Sequence, residues 1–476
     1  MSKMDRRAFL SGLGGAALGV AVGGLSSVQT AHAGNKPLNF VFILIDDMGW
    51  KDLGCYGSGF YETPNIDALA AQGVRFTNAY AACCVCSPTR ASILTGKYPA
   101  RLHITDWIPG RREPKAKLKT PDFRQELPLE EKTIATVLKR AGYATASIGK
   151  WHLGKSPFDP QHHGFDINFA GDERGHPNSY FYPYNGPNVE SGQPGEYLPD
   201  RLTDEALRFI EQNKDRPFLL YLPHYSVHAP FQAKPDMVRK YQDRVRPDDP
   251  QNSAVYGAMV ESVDQSVGRV MDKLNELGIA DQTVVFFMSD NGGFLRATSN
   301  EPWRSGKGTL YEGGLLVPLI VRWPDAVNPG TVSDVPVSSI DFFPTMIEMA
   351  GVSTTVKDVD GKSLVPLLKH GLPPERTALY WHYPHYHQPP AAPSGAIRKG
   401  DYKLIEFYHV CDGETPLCGR VELYNLKDDP AERRDLVATM PDKAAELQQQ
   451  FHRWLKDVDA QMPCPNPDYK APATGA

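Results

Sequence analysis

The sequence predicts an α/β fold: a large, mostly parallel or mixed β-sheet flanked by helices, followed by a small antiparallel sheet with a helix. Three observations predict it. Continuous apolar runs of strand length alternate with stretches of helix pattern, which implies a sheet covered on both faces. Four of those runs end in charged or metal-capable side chains, where ligand sites of such sheets lie. Beyond about Glu375 the pattern changes to short runs that suit antiparallel strands.

Taken in order, the run after Leu38, Asn-Phe-Val-Phe-Ile-Leu-Ile, is a strand ending at Asp46-Asp47. A helix follows, with Thr63 as cap, Pro64 at the first position and Gly73 as stop. Cys86-Ser87-Pro88-Thr89-Arg90 reads as a turn that opens a second helix, with Pro88 in its first turn. Glu130–Ala141, Leu202–Asn213 and Ser253–Leu277 carry helix patterns. Between them, Tyr143–Ile148 is a strand ending at Gly149-Lys150-Trp151-His152, and Phe218–Leu222 leads to His224 and His228. Thr283–Met288 ends at Ser289-Asp290-Asn291-Gly292-Gly293. Near the C-terminus, Ala396–Ile405 and Val421–Leu426 read as antiparallel strands, with a helix near Ala444–Val458 and a Pro-rich tail. The organisation is a leader over 1–33, a large domain over 37–375, a smaller one over 376–461 and a tail over 462–476, without internal repeats.

Asp5-Arg6-Arg7-Ala8-Phe9-Leu10 resembles a twin-arginine signal, followed by a Gly/Ala-rich apolar region and the cleavage pattern Ala31-His32-Ala33. That apolar region is too short and too broken for a stable membrane span. Its removal takes away three positive residues and one negative, moving the formal charge from −5 to −7. A mildly acidic chain without a basic block gives no reason to expect nucleic-acid binding. Export through the twin-arginine translocon, to the periplasm or the medium, suits an enzyme matured while folded. Seven cysteines are too few for a disulfide framework, although Cys411 and Cys418 could form a local bridge.

The chemistry-bearing residues fall into three groups. Cys86 at a helix start sits where a nucleophile and an anion are both favoured, and Arg90, four residues on, can meet an anion bidentately. Asp46, Asp47, Asp290 and Asn291 are hard oxygen ligands suited to Ca²⁺ or Mg²⁺. Either pair alone would read as turn chemistry; two pairs at strand ends beside an anion motif favour a metal. Lys150, His152, His228 and Lys307 add cations and imidazoles, Lys307 between Gly306 and Gly308 where the backbone is compact.

Cys86-x-Pro88-x-Arg90 with Thr95-Gly96, Gly149-Lys150-Trp151-His152-Leu153-Gly154, Ser226-Val227-His228-Ala229-Pro230 and Gly306-Lys307-Gly308 together resemble the signatures of the type I sulfatases, arylsulfatase-like members of the alkaline-phosphatase superfamily. The resemblance spans roughly Pro37–Gln461. It implies conversion of Cys86 to formylglycine by a formylglycine-generating enzyme, and one Ca²⁺ held by Asp46, Asp47, Asp290, Asn291 and residue 86. It also implies that Arg90, Lys150, His152, His228 and Lys307 contact sulfate. The reaction implied is sulfate monoester hydrolysis by a diol hydroxyl, with His228 or Lys307 protonating the leaving oxygen and Cys86, Arg90, His152 and His228 as the catalytic set. His224 reads as structural.

Three loops point towards a sulfated carbohydrate, of galactose or glycosaminoglycan type, or an aryl sulfate: Tyr380–His387, Thr105–Arg112 and Asp172–His176. Their aromatic, imidazole and acidic groups suit stacking on a sugar ring and bonding its hydroxyls. His382 and His385 are also zinc-capable. Two other readings use the same fold: a formylglycine-dependent phosphonate or phosphodiester hydrolase, and an inactive glycan-binding relative.

Overall fold

A computed structural model of the chain describes residues 37–186, 188–189, 191–387, 392–408 and 420–470. The leader over 1–33 and the Cys411–Cys418 loop lie outside the described residues. In chain order the elements of the main layer are β1 (Asn39–Ile45), α1 (Pro64–Ala71), β2 (Val74–Phe76), α2 (Cys86–Thr95), α3 (Ile134–Arg140), β3 (Ala144–Ile148) and β4 (Ile167–Phe169). Then come α4 (Leu198–Gln212), β5 (Phe218–Pro223), α5 (Ala254–Glu276), β6 (Thr283–Ser289), β7 (Leu319–Arg322), β8 (Thr331–Ser333) and α6 (Phe342–Met349).

The eight strands form one sheet in the order β8-β2-β7-β6-β1-β5-β3-β4. β1 lies between β5 and β6 and runs parallel to both, Phe40 standing opposite Leu219 on one side and Val284 on the other. β7 is antiparallel to β6 and β2, so the sheet is mixed. Every residue of β1 is buried, because the strand packs on both faces. Val41, Ile43 and Ile45 join a core with α1, α4 and α5. Phe40, Phe42 and Leu44 join another with α2, α3 and α6. Each such side chain removed from water contributes about 1.5–3 kcal/mol before entropy is counted, which is why the apolar runs were legible as strands. Among the described residues, no helix is long and apolar enough to cross a membrane.

The C-terminal layer is β9 (Leu379–Tyr383), β10 (Ser394–Lys399), β11 (Tyr402–Phe407) and β12 (Arg420–Asn425), an antiparallel sheet in sequence order, with α7 (Pro441–Asp457). Leu447 and Phe451 of α7 cover one face together with Ile397, Leu404 and Leu423. Trp381, Ala396 and Ile405 share a core with Tyr80, Cys83, Cys84 and Val85, the segment just before α2. The Trp381 indole donates to the Ala81 carbonyl at 2.9 Å.

Several sequence expectations need correction. The helix expected over Glu130–Ala141 starts only at Ile134, where Thr133 accepts from the Thr136 amide as its cap. The helix expected from Leu202 starts earlier, at Leu198, with Pro199 in its first turn. Half of the stretch read as the loop Tyr380–His387 is the strand β9. Thr63 precedes α1 but does not cap it; its hydroxyl accepts from the Gly54 amide and donates to Asp67. Asp264, from α5, takes over that work by accepting from the amides of Asn65 and Ile66 at 2.9 and 2.8 Å.

Candidate active site

The ends of β1, β3, β5 and β6 meet at the carboxyl edge of the sheet, and backbone bonds continue past the strands. Asp46 N donates to Ser226 O, Asp290 N to Ile45 O, and Lys150 N to Pro223 O at 2.7 Å. Gly149 is required for that last approach: its φ is +127°, and a Cβ would stand 2.0 Å from the Pro223 carbonyl. Asp47 and His152 both hold left-handed backbone, with φ of 64° and 59°. Such strain collects where the surroundings fix a side chain's direction.

The sequence-predicted residues converge in two tiers. In the lower tier, Arg90, Lys150, Asp46, Asp290 and Asn291 are fully buried. Arg90 Nε and Nη2 both donate to Asp290 Oδ2, at 2.9 and 2.7 Å, while Nη1 donates to Lys150 O. Arg90 is therefore held by a carboxylate of the protein 200 positions away. Lys150 Nζ lies 2.6 Å from Asp46 Oδ2. In the upper tier, Asp47, Cys86, His152, His228 and Lys307 face a cavity of about 550 Å³. Lys307 Nζ is 2.7 and 2.8 Å from the two oxygens of Asp47, and Asn291 Nδ2 donates to Asp47 Oδ1 at 2.8 Å.

Three carboxylates thus face three cations, a neutral set without further partners. Yet Asp46 Oδ1 and Asn291 Oδ1 are buried with no hydrogen-bond partner. Burial, with Asp290 and Asp47 close by, pushes the Asp46 carboxyl well above its ordinary range despite Lys150. Burial opposes ionised Asp47 too, but Lys307 and His228 outweigh it and hold that carboxyl below the usual range. Donor atoms of Asp46, Asp290 and Cys86 lie within 4.8 Å of one another, as do those of Asp46, Asp47 and His228. Orphaned hard oxygens around a common point fit a divalent cation, which would leave the site at a net +2 to receive an anion.

His152 fixes its own tautomer. Its Nε2 contacts the Ile108 carbonyl, which can only accept, so Nε2 carries the proton and Nδ1 offers a lone pair. Nδ1 lies 3.4 Å from Cys86 Sγ. Burial and the Lys150 charge hold His152 well below its ordinary pKa, so it is a neutral base. Burial also pushes the Cys86 thiol up, against Lys150 and Lys307. The helix start does not make this thiol a thiolate. His228 donates Nδ1–H to Ala229 O at 2.7 Å, leaving Nε2 as an acceptor 3.6 Å from Asp47 Oδ2. Burial and Lys307 push His228 down to about 3.

Of the three recognition loops, Trp107, Ile108 and Pro109 form one wall, and Glu173, Arg174 and His176 another. Arg174 is held by Asp172, whose carbonyl accepts from His152 N at 2.9 Å. His382 and His385 do not reach the cavity and do not form a zinc pair. His382 is taken up by Tyr408 Oη and Gln461 O, and His385 Nε2 by Thr105 Oγ1 at 2.8 Å. Only His387 of that stretch lines the cavity among the described residues. His224 bonds Ser266 Oγ behind the site. Asn178 and Phe294 line the cavity without having been singled out in the sequence. Phe294 directly follows Asn291-Gly292-Gly293 and could have been read from that position; Asn178 carries no such signal.

Comparison with known proteins gives matching family models over both layers. The sulfatase model matches residues 38–352, and the model for the N-sulphoglucosamine sulphohydrolase C-terminal region matches 304–461. The chain is 33% identical to a sulfatase of Formosa agariphila over 90% of its own length and 91% of the relative's. It is 36% identical to human N-acetylgalactosamine-6-sulfatase, covering 74% of this chain and 69% of that one. The crystal structure of Ps i-CgsB in complex with k-i-k-neocarrahexaose superposes with a TM-score of 0.75 at 28% identity, over 92% of this chain and 96% of that one.

Proposed function

The chain belongs to the sulfatase family and is a sulfuric ester hydrolase, and we propose that it acts on a sulfated carbohydrate after Cys86 has been converted to formylglycine. The observation that carries the mechanism is the neutral His152, with Nε2–H given to Ile108 and the Nδ1 lone pair aimed at residue 86. Asp46, Asp47, Asp290 and Asn291 would hold Ca²⁺. When present, the aldehyde at residue 86 supplies a hydrated oxygen nucleophile, and Ca²⁺ supplies positive charge beside it.

The chain's own residues supply the rest. His152 Nδ1 accepts a proton on the residue 86 side of the cavity. Lys150 and Arg90 hold Asp46 and Asp290 in place, and with Lys307 they balance the carboxylates so that a sulfate ester is drawn in. Lys307, rather than His228, serves the leaving oxygen. Its ammonium holds the two Asp47 oxygens and keeps a third donor for the cavity, whereas neutral His228 turns an acceptor that way. His228 suits the role of orienting Lys307 and the ester.

The sugar assignment draws on the rims at Trp107 and Glu173–His176, and on relatives whose names specify N-acetylgalactosamine-6-sulfate hydrolysis or whose structure holds neocarrahexaose. A galactose-type sugar is the substrate class proposed. The twin-arginine segment supports export to the periplasm or medium, with the converting enzyme acting first. The test is inorganic sulfate release from 4-O- and 6-O-sulfated galactose, N-acetylgalactosamine and glucosamine, beside an aryl sulfate and a phosphonate ester. Release from a galactose-type sugar supports the proposal. Turnover of the phosphonate alone, or of nothing by fully converted protein, contradicts it in favour of the phosphonate hydrolase or the inactive binder.

A further inference from the structure

We infer that the C-terminal sheet sets the position of Lys307 through a buried clamp of Glu312, Lys403 and Glu432, which act as positioning residues for the leaving-group side of the reaction. The inference rests on the reading of Lys307 as donor to the leaving oxygen.

Lys307 sits in a segment, Arg304–Gly314, that folds back on itself, Gly313 N donating to Arg304 O at 2.9 Å. On its inner side the segment is tied to the catalytic edge: Lys307 N donates to Gly293 O, and Gly308 N to Cys84 O. On its outer side both ends are held from the C-terminal layer. Arg304 Nη1 donates to Glu432 O at 2.8 Å and to Tyr424 Oη at 2.9 Å. Glu312 N donates to Glu432 Oε2 at 2.6 Å, and Lys403 Nζ stands 2.7 Å from Glu312 Oε1 and 2.9 Å from Glu432 Oε1. Tyr80 Oη donates to Glu312 Oε2 at 2.6 Å and in turn accepts from Arg398.

The side chains of Glu312, Lys403 and Glu432 are 3, 0 and 0% exposed. A buried ion cluster is a poor source of stability, since desolvation offsets the attraction and apolar groups of the same shape do as well or better. What it does supply is a single arrangement, because Glu312 Oε1, Glu312 Oε2 and Glu432 Oε2 each accept one hydrogen bond and Glu432 Oε1 lies against the Lys403 ammonium. Glu432 keeps left-handed backbone at φ 53° to enter that arrangement, a strained geometry in a non-glycine residue. The fixed object is the segment that carries the ammonium facing Asp47. A shift of about 1 Å at such a donor lowers rates by up to about a hundredfold.

The test uses a variant carrying Glu312→Gln, Lys403→Met and Glu432→Gln together, which removes the charges while keeping their shapes. Its control is Lys399→Met with Glu446→Gln, an exposed pair between the same sheet and α7. Converted, Ca²⁺-loaded enzymes are compared on 4-nitrophenyl sulfate and phenyl sulfate, which share the aryl sulfate group and differ in the para substituent and so in the basicity of the departing oxygen. The expected result is a kcat loss about tenfold greater on phenyl sulfate, with KM little changed and no such split in the control. Hydrogen exchange of the 304–314 peptide is expected to quicken about tenfold in the clamp variant alone. Equal losses on the two esters, or unchanged exchange, would overturn the inference. Exchange needs no turnover, so with a wild type silent on both esters and on the sugar sulfates the functional reading would fail while the clamp was still decided.

Discussion

At the scale of single residues, Lys307→Ala separates leaving-group chemistry from binding. Its kcat is expected to fall about a hundredfold or more on a sugar sulfate and less on 4-nitrophenyl sulfate, as measured by steady-state kinetics. Equal losses would return the donor role to His228. Much of this level was legible in sequence. The spacing of Cys86 to Arg90 and the polar groups at strand ends pointed to Asp46, Asp47, Lys150, His152, Asp290 and Asn291 beside them, whereas Asn178 and Phe294 were not singled out. What could not be read is which partner each one takes. Arg90 turns to Asp290, and the tautomer of His152 is set by the Ile108 carbonyl, contacts made by chain folding across 200 and 44 positions. No local pattern records them.

At the scale of elements, the loop after the Lys150-Trp151-His152 turn presses on the base itself. A Cβ at Gly175 would lie 2.7 Å from His152 Cε1 and 2.8 Å from Nε2. Gly175→Ala is therefore expected to lower kcat by about tenfold or more while leaving the fold intact. Gly59→Ala, with nothing within 4 Å of its added methyl, serves as the neutral comparison. Helix α1 gives a second prediction, on stability. Burial pushes the Asp264 carboxyl up to about 6, against its bonds from Asn65 and Ile66. The folded state then binds more protons than the unfolded chain between the ordinary value of 3.8 and about 6. The group's contribution to stability consequently falls as pH rises through that window and is flat above it. Denaturant unfolding from pH 4.5 to 7 should show wild type losing stability relative to Asp264→Asn over that range. Asp264→Ala, which strands two amides, should cost about 1–3 kcal/mol at pH 7. Thr63 looked like the cap in sequence because capping propensity is local; the acceptor that acts comes from α5.

For the whole molecule, the mixed sheet with helices on both faces, the two-faced burial of β1 and the convergence of four strand ends were legible because apolar runs and their polar terminators follow one-dimensional rules, whereas the strand order was not. The way the C-terminal sheet packs was not legible. Its Trp381 and Lys403, with Glu432 from the segment after β12, reach the segment before α2 and the segment carrying Lys307, contacts fixed only by the tertiary fold. The same scale carries the metal prediction. Orphaned Asp46 and Asn291 oxygens should make the folded protein bind Ca²⁺ and the unfolded chain bind it far less. Chelation is expected to abolish sulfate release and lower Tm. Restoring free Ca²⁺ to about 100 times Kd should return about 2.7 kcal/mol of stability. Full activity in chelator would contradict that assignment. The central claim is that turnover belongs to a converted residue 86, since the thiol found there is buried and unactivated. The most direct measurement sets the rate of sulfate release against the fraction of the Cys86 peptide whose mass shows an aldehyde, across preparations made with and without a converting enzyme. The account predicts a straight line through zero, with Cys86→Ala at the origin. Undiminished release by protein whose residue 86 is still a thiol would contradict it.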